Sequence, residues 1–380
     1  MIDKLKKTFS LNAKNLVGWS TRRKILVISV DDYGNVRIDS RKARENMQRE
    51  GIDLSNRFDT FDTLETRRDL EALYEVLTTV KDGNGRYPVF TTFAMPCNIN
   101  FEKMAETGFE QYYYELLPET FRKLSQQQPG AYRGAWNLLE EGIEKGLIVP
   151  LFHGREHLNL KVFNEMLSAR NNALLTALHN RSYPALDYSG YKTIAPMAAF
   201  DFWEFEENQQ FEQVINSGLD AFERVYGFSP DHFNPPGGRE HPVLHKILNQ
   251  RGIRFIDTPM IKREHQGRGR FKTVFNYTGK TNIHGQIYLV RNVVFEPTED
   301  RGIDWVDYAL TQIEAAFRWN HPAIVSSHRV NFCGHIDEQN RRKGLESLEH
   351  LLRAVTERWP EVEFMAANEL GGEIAQNNHE

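Results

Sequence analysis

With 380 residues, 40% of them hydrophobic, the chain can bury a large core, and length alone leaves open one large domain or two smaller ones. Its 47 Lys and Arg stand against 52 Asp and Glu, with both signs spread along the chain, which excludes the basic field of a general nucleic-acid binder. Only Cys97 and Cys333 occur, so there is no disulfide framework; with no signal-peptide pattern at the start and no run of eighteen apolar residues, the reading is a soluble, cytoplasmic protein without a membrane span.

In chain order, Lys24–Val30 (KILVISV) reads as a strand buried on both faces that ends abruptly in Asp31-Asp32-Tyr33-Gly34. Helices are expected over Ser40–Glu50, closed by Gly51, and over Thr63–Val80, where Leu70, Leu73, Leu77 and Val80 recur at helical spacing. Further strands are expected at Tyr87–Ala94, Leu147–Phe152, Gly252–Asp257, Gln286–Phe295, Pro322–Ser327 and Val362–Met365. Helical stretches separate them at Phe211–Tyr226, Pro242–Arg251 and Trp305–Trp319. This alternation predicts a largely parallel sheet, and the lack of a Pro-, Gly- or Ser-rich linker favours one domain with insertions. Asn100–Glu144 reads as a mostly helical insertion, and Lys262–Gly285, with its Gln-Gly-Arg-Gly-Arg run, as a long loop or hairpin that is either a cover over a site or a solvated basic excursion.

The strongest local signal is His153-Gly154-Arg155-Glu156-His157, directly after an apolar run. If the segment turns helical after the first His, both imidazoles face one ion, and zinc or a similar divalent metal then needs a carboxylate as third donor. The order of Gly154 and Glu156 does not match the helical metalloprotease motif. Asp31-Asp32 supplies the carboxylates: two adjacent ones at the end of a buried strand repel unless a cation or strong donors stand beside them. His328 ends a third buried strand, so Asp31, His153 and His328 occupy equivalent positions, at the strand ends that form the active face of parallel α/β barrels. Phe233-Asn234-Pro-Pro-Gly237-Gly238 is a rigid turn whose Gly N–H groups can face a ligand. Gly279-Lys280-Thr281 lacks the leading Gly of a phosphate loop, and Ser326 and Ser327 lack a nucleophile elbow.

The order and spacing of these motifs resemble the polysaccharide deacetylase family, also called carbohydrate esterase family 4. VDDYG at Val30–Gly34 matches its Asp pair, His153 and His157 its two His separated by three residues, Asn234–Gly238 its proline-containing third motif, and His328 its last His. The resemblance implies a distorted (β/α) barrel of about seven parallel strands with helical and loop insertions. It implies Asp32, His153 and His157 as ligands of one divalent ion, zinc or else Co, Ni or Mn. It further implies Asp31 as base. The mechanism expected from these residues makes His328 the acid and the backbone N–H of Gly237 the oxyanion donor, with Arg155, Glu156, Asn234 and Asp257 as supporting partners. Asn234 stands where the family has the Arg that orients the base, which leaves Asp31 without that partner. The HGREHLNL segment is similar also to related oligosaccharide deacetylases.

The expected organisation is an extension over residues 1–23, a catalytic domain over 24–370 and a tail over 371–380. The expected activity is metal-dependent removal of an N-acetyl group from a carbohydrate, with an N-acetylated carbohydrate as partner and no nucleic acid. The competing readings are a non-catalytic carbohydrate-binding protein and a metal hydrolase of a non-sugar amide.

Overall fold

Strand β1 (Lys24–Tyr33) is the axis on which the rest is built. Ile25, Leu26, Val27, Ile28 and Val30 are all buried, because the strand is covered on both faces. Its alternation sorts them: Ile25 and Val27 pack with Phe93, Leu151, Phe255, Leu289 and Ile324 of other strands, while Leu26, Ile28 and Val30 pack into the larger cluster shared with the surrounding helices. The first set is a barrel interior filled by side chains, the second the strand–helix interface. This computed structural model describes residues 12, 14–188 and 190–377. The extension expected over 1–23 and the tail expected over 371–380 fall partly outside those residues.

The remaining strands are β2 (Phe90–Ala94), β3 (Cys97–Ile99), β4 (Tyr114–Leu116), β5 (Ile148–Phe152), β6 (His232–Phe233), β7 (Phe255–Asp257), β8 (Ile261–His265), β9 (Phe271–Phe275), β10 (Ile287–Leu289), β11 (Val293–Val294), β12 (Ala323–His328) and β13 (Val362–Met365). The main sheet runs β10-β7-β6-β5-β2-β1-β12-β11, every pair parallel, and β13 joins it along the first half of β1. It therefore has nine strands where about seven were expected.

The sequence reading made Gln286–Phe295 one strand; it is two, β10 and β11, on opposite edges of the sheet. Eight strands laid flat would span about 34 Å at roughly 4.8 Å per strand. The link 290–292 can bridge at most about 14 Å. The sheet must therefore curl until its edges approach, which makes it a distorted (β/α) barrel whose seam lies at Val290-Arg291-Asn292. The chain runs along one edge as β10, beside β7, and along the other as β11, beside β12. The closing helix Ala367–Asn377 sends Ala367, Leu370 and Ile374 into the interior cluster, and Arg23, just before β1, pairs with its Glu373. It thus plugs the end of the barrel where β1 begins and leaves the Asp31 end open.

Other expectations shift in detail. The helix expected over Thr63–Val80 is shorter, Arg67–Leu77, started by a capping box between Thr66 and Asp69, and a short helix that was not expected precedes it at Arg57–Phe61. The Asn100–Glu144 insertion is helical apart from β4, which pairs with β3. Lys262–Gly285 contains the antiparallel hairpin β8-β9, and none of its residues lines the cavity described below, so it is not a cover over that cavity. Among the described residues no helix is long and apolar enough to cross a membrane.

Candidate active site

An ordinary strand would send Asp31 and Asp32 to opposite faces. Here the pairing register of β1 with β2 shifts between Val30 and Tyr33, and Asp32 adopts φ 77°, a left-handed conformation that costs a non-glycine residue on the order of 1 kcal/mol. The bulge turns both carboxylates into one cavity of about 520 Å³ at the strand ends. Gly34 follows at φ +77°; a Cβ there would sit 2.5 Å from the carbonyl oxygen of Met95, so only glycine allows the chain to leave the strand this way. β1 is thus not ended by the Asp pair, as expected, but carries it and runs on to Tyr33.

His153 follows β5, and residues 153–158 form bends rather than the expected helical turn, with Gly154 at φ +92°. The two imidazoles meet all the same, with ring centroids 5.4 Å apart. Asp32 Oδ1 lies 3.5 Å from His153 Nε2 and 3.2 Å from His157 Nε2. One donor atom from each residue falls within a 4.8 Å span, and all three residues are largely buried. Burial pushes the Asp32 carboxyl upward, but the two imidazoles beside it outweigh that and hold it well below the usual carboxylate range.

His153 Nδ1 lies 2.7 Å from the carbonyl oxygen of Asn234, and in the neutral imidazole that bond puts the proton on Nδ1 and the lone pair on Nε2. That Nε2 is buried without a hydrogen-bond partner. An orphaned imidazole nitrogen facing a carboxylate and a second imidazole is what a divalent cation would satisfy, and two nitrogens with one oxygen is a donor set suited to zinc. The residues present fit a metal.

Asp31 is held differently. Arg291, on the barrel seam, places Nη2 2.8 Å from Asp31 Oδ1 and Nη1 2.9 Å from Oδ2, a two-pronged grip. Its Nε donates to Asp257 Oδ2 at 2.7 Å, and His232 on β6 lies 2.8 Å from the other oxygen of Asp257. Asn234 Nδ2 donates to Asp31 Oδ1 at 2.8 Å. The flanking carboxylates raise the Arg291 guanidinium above its ordinary value despite its burial, so it remains a cation.

His328 sits opposite Asp31 in the β1–β12 register, its Nε2 3.9 Å from Asp31 Oδ2. Its Nδ1 lies 2.6 Å from Glu296 Oε1, and Glu296 is itself gripped by Asn331 Nδ2 at 2.7 Å and by Arg57. Burial lowers the His328 pKa, but Glu296 outweighs it and pushes it up to about 9. The imidazole is therefore a proton donor at neutral pH.

The cavity brings together Asp31, Asp32, His153, His157, Asn234, Gly237, Asp257 and His328, each singled out from the sequence. It does not include Arg155 and Glu156. These pair with each other, Nη2 to Oε1 at 2.8 Å, while Arg155 also bonds Ser217 and lies over the Tyr114 ring. Sequence reasoning missed Arg291, Glu296 and His232. The available signal for two of them was a charge inside or just after the apolar run QIYLVRNVVFE, read there as the interruption of a strand.

No family model matches the chain, and no curated protein matches it. Among solved structures it is similar to a putative polysaccharide deacetylase from Mycobacterium smegmatis, at 9% identity and TM-score 0.44 over 95% of this chain and 94% of that one. A putative glycoside hydrolase/deacetylase from Parabacteroides distasonis aligns at 9% identity and TM-score 0.47, over 94% of this chain and 72% of that one. The 4-alpha-glucanotransferase from Thermococcus litoralis aligns at 11% identity and TM-score 0.43, over 91% of this chain, which spans 40% of that longer protein.

Proposed function

We propose that this chain is a metal-dependent deacetylase that hydrolyses the N-acetyl group of a carbohydrate. The observation that carries the reading is a base and an acid side by side in one cavity, each with its own partner: Asp31 in the fork of Arg291, and His328 protonated against Glu296. Asp32, His153 and His157 would hold the divalent ion, zinc or else Co, Ni or Mn, which when bound polarises the acetyl carbonyl and acidifies water.

Asp31 takes the proton of the attacking water. Arg291 and Asn234 fix the plane of its carboxylate, so the receiving lone pair is aimed before substrate arrives. His328 Nε2, 3.9 Å from Asp31 Oδ2, gives its proton to the amine nitrogen as the C–N bond breaks, because an unprotonated amine leaves poorly. Glu296 stabilises the proton on His328 until then. Gly237 lines the cavity at φ +68°, and its N–H would donate to the oxygen that becomes negative in the tetrahedral state. Asn234 acts twice, through its side chain on Asp31 and its carbonyl on His153. Asp257 acts through Arg291, and the Arg155–Glu156 pair braces the loop that carries the two His.

The test is acetate release from a panel of N-acetylated glycans, sugar nucleotides and non-sugar acetamides, with and without chelator. Chelator-sensitive release from sugars is expected. Release from the non-sugar amides alone moves the substrate class, and no release from any member, with metal bound, removes the catalytic reading.

A further inference from the structure

One cation in the cavity wall has no part in the proposed reaction. Arg37, just beyond β1, is only 7% exposed yet lines the same cavity as Asp31 and His328. Its Nε donates to Asp59 Oδ1 at 2.6 Å. Asp59 is fully buried, and its Oδ2 is taken by Asn56 and by the Ala185 N–H. Among the described residues neither terminal nitrogen of Arg37 has a hydrogen-bond partner. If Arg37 served only to neutralise Asp59, the side-on fork that uses two nitrogens on two oxygens would be the favoured grip. Instead the two-nitrogen end of the guanidinium is left without a protein partner and faces the cavity.

The surroundings favour an anion as that partner. The Phe58 ring lies under Arg37 at 5.2 Å and under Arg57 at 4.8 Å, with its edge toward His328 at 5.3 Å. Three cations, Arg37, Arg57 and the His328 imidazolium, therefore surround one ring, and two carboxylates, Asp59 and Glu296, face them. The cavity's other arginine, Arg291, is fully engaged by Asp31 and Asp257.

We propose that Arg37 binds an anionic group of the substrate, a carboxylate or a phosphate, so that the N-acetylated sugar taken by this site is acidic rather than neutral. The inference rests on the deacetylase reading for its sugar but not for its anion. A planar two-nitrogen fork matches either anion bidentately, whereas a Lys would offer only a point charge.

The test uses the full-length, metal-loaded Asp31→Asn protein, so that binding is measured without turnover. Calorimetric titrations compare N-acetylmuramic acid with its methyl ester, and N-acetylglucosamine 6-phosphate with N-acetylglucosamine. At least one anionic probe is expected to bind about 10- to 100-fold more tightly than its neutral counterpart, and the arm that does so tells carboxylate from phosphate. Adding Arg37→Lys, which keeps a counter-charge for Asp59, should remove most of that preference without lowering metal content. Equal binding of acid and ester, and of phosphate and parent sugar, overturns the proposal, and so does an undiminished preference in the Lys variant. Charge-selective binding with no acetate released by the wild type would sink the deacetylase reading and leave the anion site standing. Acetate release with no charge preference would do the reverse.

Discussion

Replacing Arg291 by Met keeps the length and most of the apolar stem while deleting the charge and the fork. Three short charge-assisted hydrogen bonds disappear, at 2.7, 2.8 and 2.9 Å, and Asp31 and Asp257 are left facing each other across a pocket where neither side chain is more than 13% exposed. Breaking a buried pair in this way costs about 3–5 kcal/mol of stability, because the surviving carboxylates are left without compensation. The catalytic effect is separate. Asp31 keeps one hydrogen bond, from Asn234, with His328 3.9 Å away, so its carboxylate plane is free to turn, and removing a general base altogether costs about 10²- to 10⁴-fold. A loss of about 10²-fold in kcat per folded, metal-loaded molecule is therefore expected, with KM little changed. Arg291→Lys should fall between the two, since an ammonium can reach one carboxylate but cannot span Asp31 with two prongs. Acetate release is measured beside metal content and thermal melting on the same preparations. A kcat equal to wild type in both variants, with only melting lowered, would show that Arg291 holds the barrel seam and nothing more.

His153→Ala and His157→Ala should each lower bound metal, read by elemental analysis, since each removes one of only three protein donors; full metal in both would refute the ligand set. Glu296→Gln should move the alkaline limb of the pH–rate profile downward. The acid must be protonated, its raised value of about 9 depends first on Glu296 among the groups that lift it, and without that carboxylate burial pulls the imidazole back toward or below 6.5. The same sign governs stability: what the His328–Glu296 pair contributes is fully present below about pH 6.5 and lost as pH rises through about 9, so the wild-type melting advantage over Glu296→Gln should shrink over that window. Gly344→Ala should destabilise by several kcal/mol and also lower activity, because a Cβ there would lie 1.8 Å from the carbonyl oxygen of Asn331, the residue that holds Glu296. Unchanged melting would contradict that packing.

Much of the site was legible because its chemistry is local. Asp31-Asp32 and His153-x-x-x-His157 announce themselves by residue type at strand ends, and the apolar runs before them, and before His328, mark buried parallel strands whatever surrounds them. The supporting residues were not legible for a stated reason. Arg291 and Glu296 act at the seam, and the run from Gln286 to Phe295 reads as one strand because each half is apolar enough to be buried. Nothing within ten residues says that the halves belong to opposite edges of the sheet. That depends on how far eight strands curl, which is decided by the helices and interior side chains of the whole barrel. The missing Arg at Asn234 posed a question that could only be answered in three dimensions: the guanidinium reaches Asp31 from the seam, 260 positions along the chain. Asp32's left-handed backbone is likewise a tertiary outcome, since a lone strand would set the two carboxylates on opposite faces. The sequence by itself thus determined which groups gather at the candidate site, through residue type and hydrophobic pattern. Closure of the barrel decided which partners hold them, because that depends on contacts between segments far apart in the chain.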